Sequence, residues 1–378
     1  MMDGRCDPRF ARVKEAFAAV LAAPHELGAA VAVTIDGTPV VDLWGGFVDR
    51  GKTRAWSEDT LVNVYSTTKG LLAMCAHRLV EEGLIELDAP VARVWPELDS
   101  RITLRMMLSH RAGLPAVEAP LPPEALFDWS AMTRALAAQP PWWEPGTTHG
   151  YHAVTFGWLV GEVIRRVTGK MPRAYLREVL TGPLGLDFHI GLEAKDDARC
   201  AELRPARRTP DVPTLFDRIM AEPTSMTAKA FTNPITMALP ETVSSRAWRD
   251  ADLPSVNGHS TARALARIYG ALARGGALDG VRVLAPESIA RCAEEHSAGE
   301  DRILGVSTRF GLGFMLPQHP GDAFAPPGSF GHPGAGGSMG FADPSARLGF
   351  GFVMNRMGLE ILTDPRVKSL SDAVYASL

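Results

Sequence analysis

Three separated stretches of this chain carry residue types that could move an acyl group. The first is Val64-Tyr65-Ser66-Thr67-Thr68-Lys69-Gly70. It places a serine and a lysine three residues apart where a helix begins, so both side chains share one face. A serine hydroxyl attacks a carbonyl poorly until a neighbour takes its proton, and a buried lysine with a lowered pKa can do so. The helix N-terminus adds backbone N–H groups and partial positive charge beside the reacting centre. Ser-x-x-Lys also arises by chance, as an N-cap serine followed by a surface lysine, so the other stretches decide its weight.

The second stretch, Trp142-Trp143-Glu144-Pro145-Gly146-Thr147-Thr148-His149-Gly150-Tyr151, is turn-rich and presents Tyr151 just before an amphipathic helix. A tyrosine held there can accept the nucleophile's proton if an ammonium such as Lys69 stabilises the phenolate. A core or capping tyrosine is the alternative. The third stretch, Gly331-His332-Pro333-Gly334-Ala335-Gly336-Gly337-Ser338, has the glycines that let a substrate carbonyl approach the backbone, as an oxyanion hole requires. A plain turn between strands is the alternative.

Other residues near these stretches bear weaker signals. Gly336-Gly337-Ser338-Met339-Gly340 matches Gly-x-Ser-x-Gly, but that motif needs a histidine after the serine in the chain and a helix after the turn. No histidine follows Ser338, and Phe341 onward alternates as a strand does. Ser338 is therefore read as lining the sheet or the site. His149 and His152 could line the pocket or be satisfied loop histidines. Trp142 and Trp143 could wall an acyl pocket or pack against helices. His110 is read as structural.

The elements that must position these residues follow from local pattern. Asp7-Pro8 caps a helix whose apolar face is Phe10, Val13, Phe17 and Leu21. Val31, Val33 and Ile35 alternate as a strand, and Asp36-Gly37 turns it into a second strand over 40–44. Phe310 to Leu316 reads as a strand, Leu348, Phe350, Phe352 and Met354 as another, and a last helix spans 364–378. Helices are predicted over 70–82, 154–167 and 261–273, the last two ended by Gly169 and by Gly275-Gly276. Residues 195–254 read as loops and short helices.

The implied fold is α/β plus α: an antiparallel sheet formed by both chain termini, flanked by helices, with a mostly helical domain inserted. Residues 1–64 and 300–378 are assigned to the sheet domain and 65–299 to the helical one, with the active site between them.

Composition bounds the partners. The 378 residues carry a formal net charge of −4, which supplies no general basic field for nucleic acid or an anionic membrane. The one basic cluster, Arg199, Arg204, Arg207 and Arg208, lies among prolines and reads as a solvated loop. Four dispersed cysteines give no zinc spacing and no disulfide framework. No metal site and no cofactor are expected. No secretory signal or membrane-length apolar run is read, so a cytoplasmic location is expected.

Taken in order, these segments resemble the serine β-lactamase-like superfamily, especially class C β-lactamases and family VIII carboxylesterases. Supporting landmarks are Leu104 to Leu114, Glu144-Pro145-Gly146, Pro183 to Leu186, Ser260-Thr261-Ala262, Gly311 to Phe314 and Val353-Met354-Asn355. The resemblance implies that Ser66 is the acylated nucleophile, Lys69 the proton relay and Tyr151 the general base. It sets His332 where lactamases carry the lysine of Lys-Thr-Gly, and makes the N–H groups of Ser66 and Ala335 the oxyanion hole. Gly334, Trp143 and His152 are the further candidates for substrate contact.

Three departures subtract features suited to a β-lactam. Ala153 replaces the asparagine of Tyr-x-Asn, His332 replaces a permanent cation, and Pro333 removes a strand N–H. A small-molecule ester is the expected substrate, of short to medium acyl chain. The alternatives are a β-lactamase or penicillin-binding peptidase, an acyltransferase or amide hydrolase, and a silent scaffold. The oligomeric state is not read from the sequence.

Overall fold

The computed structural model describes residues 2–207, 214–318 and 323–378; Arg208 of the basic cluster lies outside them. The chain opens with strand β1 (Met2–Cys6), helix α1 (Ala11–Ala22), and strands β2 (Gly28–Ile35) and β3 (Thr38–Gly46). Helices α2 (Thr68–Glu81), α3 (Thr155–Thr168) and α4 (Ala262–Ala273) follow among shorter pieces. The chain closes with β4 (Phe330–Pro333), β5 (Met339–Asp343), β6 (Leu348–Met354) and α5 (Pro365–Tyr375).

The six strands form one antiparallel sheet in the order β1-β3-β2-β6-β5-β4, so the two ends of the chain meet where β2 pairs with β6. Asp36 and Gly37 make the expected tight turn, both at positive φ (50° and 80°), which favours a hairpin of the right twist. The Asp7 side chain accepts from Arg9 N–H ahead of α1, as its cap role requires.

The alternation in β6 serves two different layers. Phe350 and Phe352 point to the outer face, where Val13 and Phe17 of α1 and Val367 and Leu370 of α5 cover them. Gly349 and Gly351 point inward, and α4 lies directly on them. A Cβ at Gly351 would stand 2.2 Å from the Ala262 carbonyl oxygen, and one at Gly349 2.2 Å from the Gly270 nitrogen. Backbone thus meets backbone, and Thr34 Oγ1 donates to the Ala266 carbonyl across the contact at 3.2 Å. Helix α4, inside the stretch read as helical domain, therefore forms the inner cover of the sheet.

Two local readings change. The strand expected over 310–316 ends early: Ser307–Phe310 pairs with Ser297–Glu300, and the chain then turns tightly, with Gly311 N–H donating to Phe314 O and Gly313 at φ 88°. Gly311 and Gly313 break the run that its apolar residues suggest. Strand β1 has no apolar alternation and was not expected; it is an edge held by pairing with β3. In the basic cluster, Arg199 is neutralised by Asp59, Asp187 and Asp196.

Candidate active site

Ser66 lies in a short turn, Tyr65–Thr67, which runs straight into α2. A small antiparallel sheet of Val62–Asn63, His259–Ser260 and Phe188–His189 delivers this turn. Val64 N–H donates to Gly258 O at 2.8 Å, and Gly258 N–H donates back to Thr68 Oγ1 at 3.0 Å. Tyr65 takes φ 43°, a left-handed conformation that costs a residue with a Cβ roughly 1–2 kcal/mol. The surrounding bonds hold this strain directly before Ser66. Ser66 itself is half-buried and so remains reachable.

Lys69 stands one turn on and is wholly buried. Its Nζ lies 2.9 Å from Ser66 Oγ, 2.7 Å from the Ala153 carbonyl and 3.1 Å from the Ser255 carbonyl. Burial, with no carboxylate beside it, holds the amine's pKa well below the ordinary lysine value. A neutral amine has two N–H donors and one lone pair. In that form the two carbonyls, which can only accept, would take both donors and leave the lone pair to the Ser66 hydroxyl. Ala153, whose side chain offers nothing to the site, thus contributes through its main chain.

Tyr151 completes the group. Burial pushes its phenol up, and a hydrogen bond with Ser66 pulls in the opposite direction without overcoming it. Lys69 Nζ lies 4.8 Å from the centre of its ring. The ring stacks on Phe310 with centroids 6.0 Å apart and touches His110 at 4.9 Å. Behind it, fully buried Asp301 accepts from Tyr151 N–H at 3.0 Å and from Ile303 and Leu304 N–H at 2.9 Å each. Asp301 fixes the tyrosine's backbone, and nothing in the sequence around it signalled that role.

Edge strand β4 borders the Tyr65–Thr67 turn. His332 is 1% exposed, and its Nδ1 lies 2.7 Å from the Pro333 carbonyl, which assigns the proton to Nδ1. Burial, followed by repulsion from Lys69, pushes its pKa down to about 3, so it is neutral near pH 7. Its Nε2, the accepting nitrogen of this tautomer, is buried with no partner.

The turn after β4 docks on the nucleophile's turn. Ser338 Oγ donates to Val64 O at 2.8 Å and lies 3.1 Å from Thr67 Oγ1. Gly334 sits so close that a Cβ would stand 2.1 Å from Val64 O. Within the turn, Gly334 N–H bonds Ser338 O and Gly337 N–H bonds Gly334 O, and exposed Ala335 sits at its tip. Ser338 is therefore a clasp between two segments, with its hydroxyl already occupied.

Two candidates are placed away from the reacting hydroxyl. His152 donates from Nδ1 to Gly150 O at 2.7 Å and accepts from Leu114 N–H at Nε2 at 3.1 Å, which leaves it no free nitrogen. Trp143 packs behind the same turn, edge-on to His152 at 6.1 Å and under Arg302. Both support the Gly150–Tyr151 turn. His149 bonds Thr308 Oγ1 at 2.9 Å, and His110 accepts from His152 N–H at 3.1 Å.

Comparison with known proteins bears on the fold and the family. A family model described as Beta-lactamase matches residues 13–369. Esterase/beta-lactamase LipL of Mycobacterium tuberculosis is 38% identical over 364 residues, covering 94% of this chain and 83% of that protein. A crystal structure of a family VIII carboxylesterase superposes with a TM-score of 0.89 at 40% identity, and a penicillin-binding protein homologue from Caulobacter crescentus with 0.91 at 40%; each comparison covers 100% of both chains. Ser66, a buried lysine and a neighbouring tyrosine are thus set in a fold shared along its whole length, and the chain belongs to the beta-lactamase family as a serine hydrolase.

Proposed function

We propose that this protein is a carboxylesterase that hydrolyses neutral esters of short- to medium-chain acids through an acyl-enzyme on Ser66. The observation that carries the reading is the wholly buried Lys69 amine, held by two carbonyls with its Nζ 2.9 Å from the Ser66 hydroxyl. Lys69 takes the Ser66 proton as Oγ attacks the ester carbonyl. The N–H groups of Ser66 and Ala335 receive the oxyanion. The Tyr151 phenol protonates the departing alkoxide, and the proton on Lys69 restores the phenol. Water then attacks the acyl-enzyme by the same steps in reverse order.

Neutral His332 supports an uncharged substrate, since it offers no cation to a carboxylate. The relatives point the same way by name: besides the LipL protein, Esterase EstB of Burkholderia gladioli is 26% identical over 411 residues. Likeness to the penicillin-binding protein homologue favours β-lactam or peptide turnover as the second reading. Parallel rates on p-nitrophenyl butyrate and a chromogenic cephalosporin separate the two. Ester turnover should dominate and vanish in Ser66→Ala; comparable cephalosporin turnover would reverse the assignment. Four free thiols, three of them buried, fit the reading of a cytoplasmic enzyme. Among the described residues, no helix is long and apolar enough to cross a membrane.

A further inference from the structure

A second cavity lies apart from Ser66, between the Pro123–Phe127 turn, the helix Trp129–Ala138, α3 and the 250–253 loop. Its volume is about 220 Å³, and Phe127, Trp129, Trp158, Arg173, Asp250 and Asp252 are among its walls. An apolar cavity of about 150 Å³ already holds a benzene ring, so this one admits a ring with a substituent.

The walls are unusual in their charge. Asp252 Oδ2 accepts from Arg173 N–H at 3.1 Å, while Oδ1 is buried with no partner. The Arg173 guanidinium does not serve Asp252: its Nη1 donates to the Asp250 carbonyl at 2.9 Å and lies 4.0 Å from the Asp250 carboxylate. Burial raises the Asp252 carboxyl to about 6, outweighing the Arg173 N–H bond and the Arg173 charge that lower it, so near neutral pH it is a carboxylate whose Oδ1 has no partner. A buried acceptor left so asks for a donor. Asp250 is also paired with Arg246 at 3.4 Å, so the acceptor left open at the cavity is Asp252 Oδ1; an anion would be repelled by it, and a neutral hydrocarbon would leave it unsatisfied. Three aromatic side chains beside a carboxylate suit a cation bearing an apolar body.

We propose that this cavity is a binding site for an organic ammonium ion, its charge on Asp252 and its hydrocarbon against Phe127, Trp129 and Trp158.

The probe is phenethylammonium, titrated calorimetrically into protein whose Ser66 is blocked by a fluorophosphonate, so that the catalytic site cannot answer. Saturable one-to-one binding is expected, with phenylacetate, the same ring with opposite charge, failing to bind. Asp252→Asn should weaken the affinity about tenfold or more, the loss of a charge-assisted hydrogen bond. Phe127→Ala, a truncation at a residue 38% exposed, should weaken it too and guards against misfolding of the first variant. Absence of saturable binding in the millimolar range, equal binding of phenylacetate, or unchanged affinity in folded Asp252→Asn would overturn the proposal.

Discussion

At Lys69 burial disfavours the ammonium while two carbonyl acceptors favour it, and the resulting balance is measurable. The amine is the group with a lowered pKa and the phenol the one with a raised pKa. Activity should fall on the acid side as Lys69 becomes an ammonium, at a pH well below the ordinary lysine value. Tyr151→Phe should lower kcat by roughly 10²–10⁴, yet keep that acid limb in kcat/KM. If the limb disappears with the phenol, the tyrosine is the base and Lys69 is not. Ser338→Ala should retain labelling of Ser66 by a fluorophosphonate, because its hydroxyl only clasps Val64 and Thr67; loss of labelling in folded protein would contradict the clasp. The proposed trio Ser66, Lys69 and Tyr151 could be picked out of the sequence because chemistry restricts their types. Asp301 and the carbonyls of Ala153 and Ser255 were not, since a carbonyl belongs to every residue and a buried aspartate looks like any other until the chain is folded.

Among the elements, strands with strict alternation were readable, and those built on pairing alone were not. β6 shows why: its phenylalanines and glycines each face one layer, so the pattern records two contacts at once. The glycines of 311–313 have the same composition but turn the chain instead, which alternation cannot distinguish. β1 gains its place from β3 and carries no pattern of its own. The close approach of α4 makes a sharp prediction. Gly351→Val would put a branched side chain on the Ala262 carbonyl, and overpacking of this kind costs about 1–3 kcal/mol or more. A drop of several degrees in Tm is expected by thermal melting, whereas Phe127→Ala at the surface should change it little.

The whole molecule carries an acid liability. His77, His110, His152, His259 and His332 are all nearly or wholly buried. Burial lowers each pKa, to about 4 for His77, about 3 for His152, His259 and His332, and well below the ordinary value for His110. The unfolded chain, with histidines near 6.5, binds these protons first. Stability is therefore full above about pH 6.5 and is lost as the pH falls towards the folded values. Each histidine contributes at most about 1.4 kcal/mol per pH unit, so five give a limiting slope of roughly 7 kcal/mol per pH unit, and one unit of it is comparable to the total stability of a domain. Urea midpoints should fall steeply between pH 6 and about 4.5; a flat profile there would show that the rings leave the interior before they charge. The clasp between Ser338 and the Val64–Thr67 turn has a different consequence. The reacting hydroxyl stands on one layer and the tip that faces it on another, so neither can keep function alone. Mild urea that loosens this seam should silence ester turnover while far-ultraviolet ellipticity still reads as native, and dilution should bring activity back as fast as the two faces find each other.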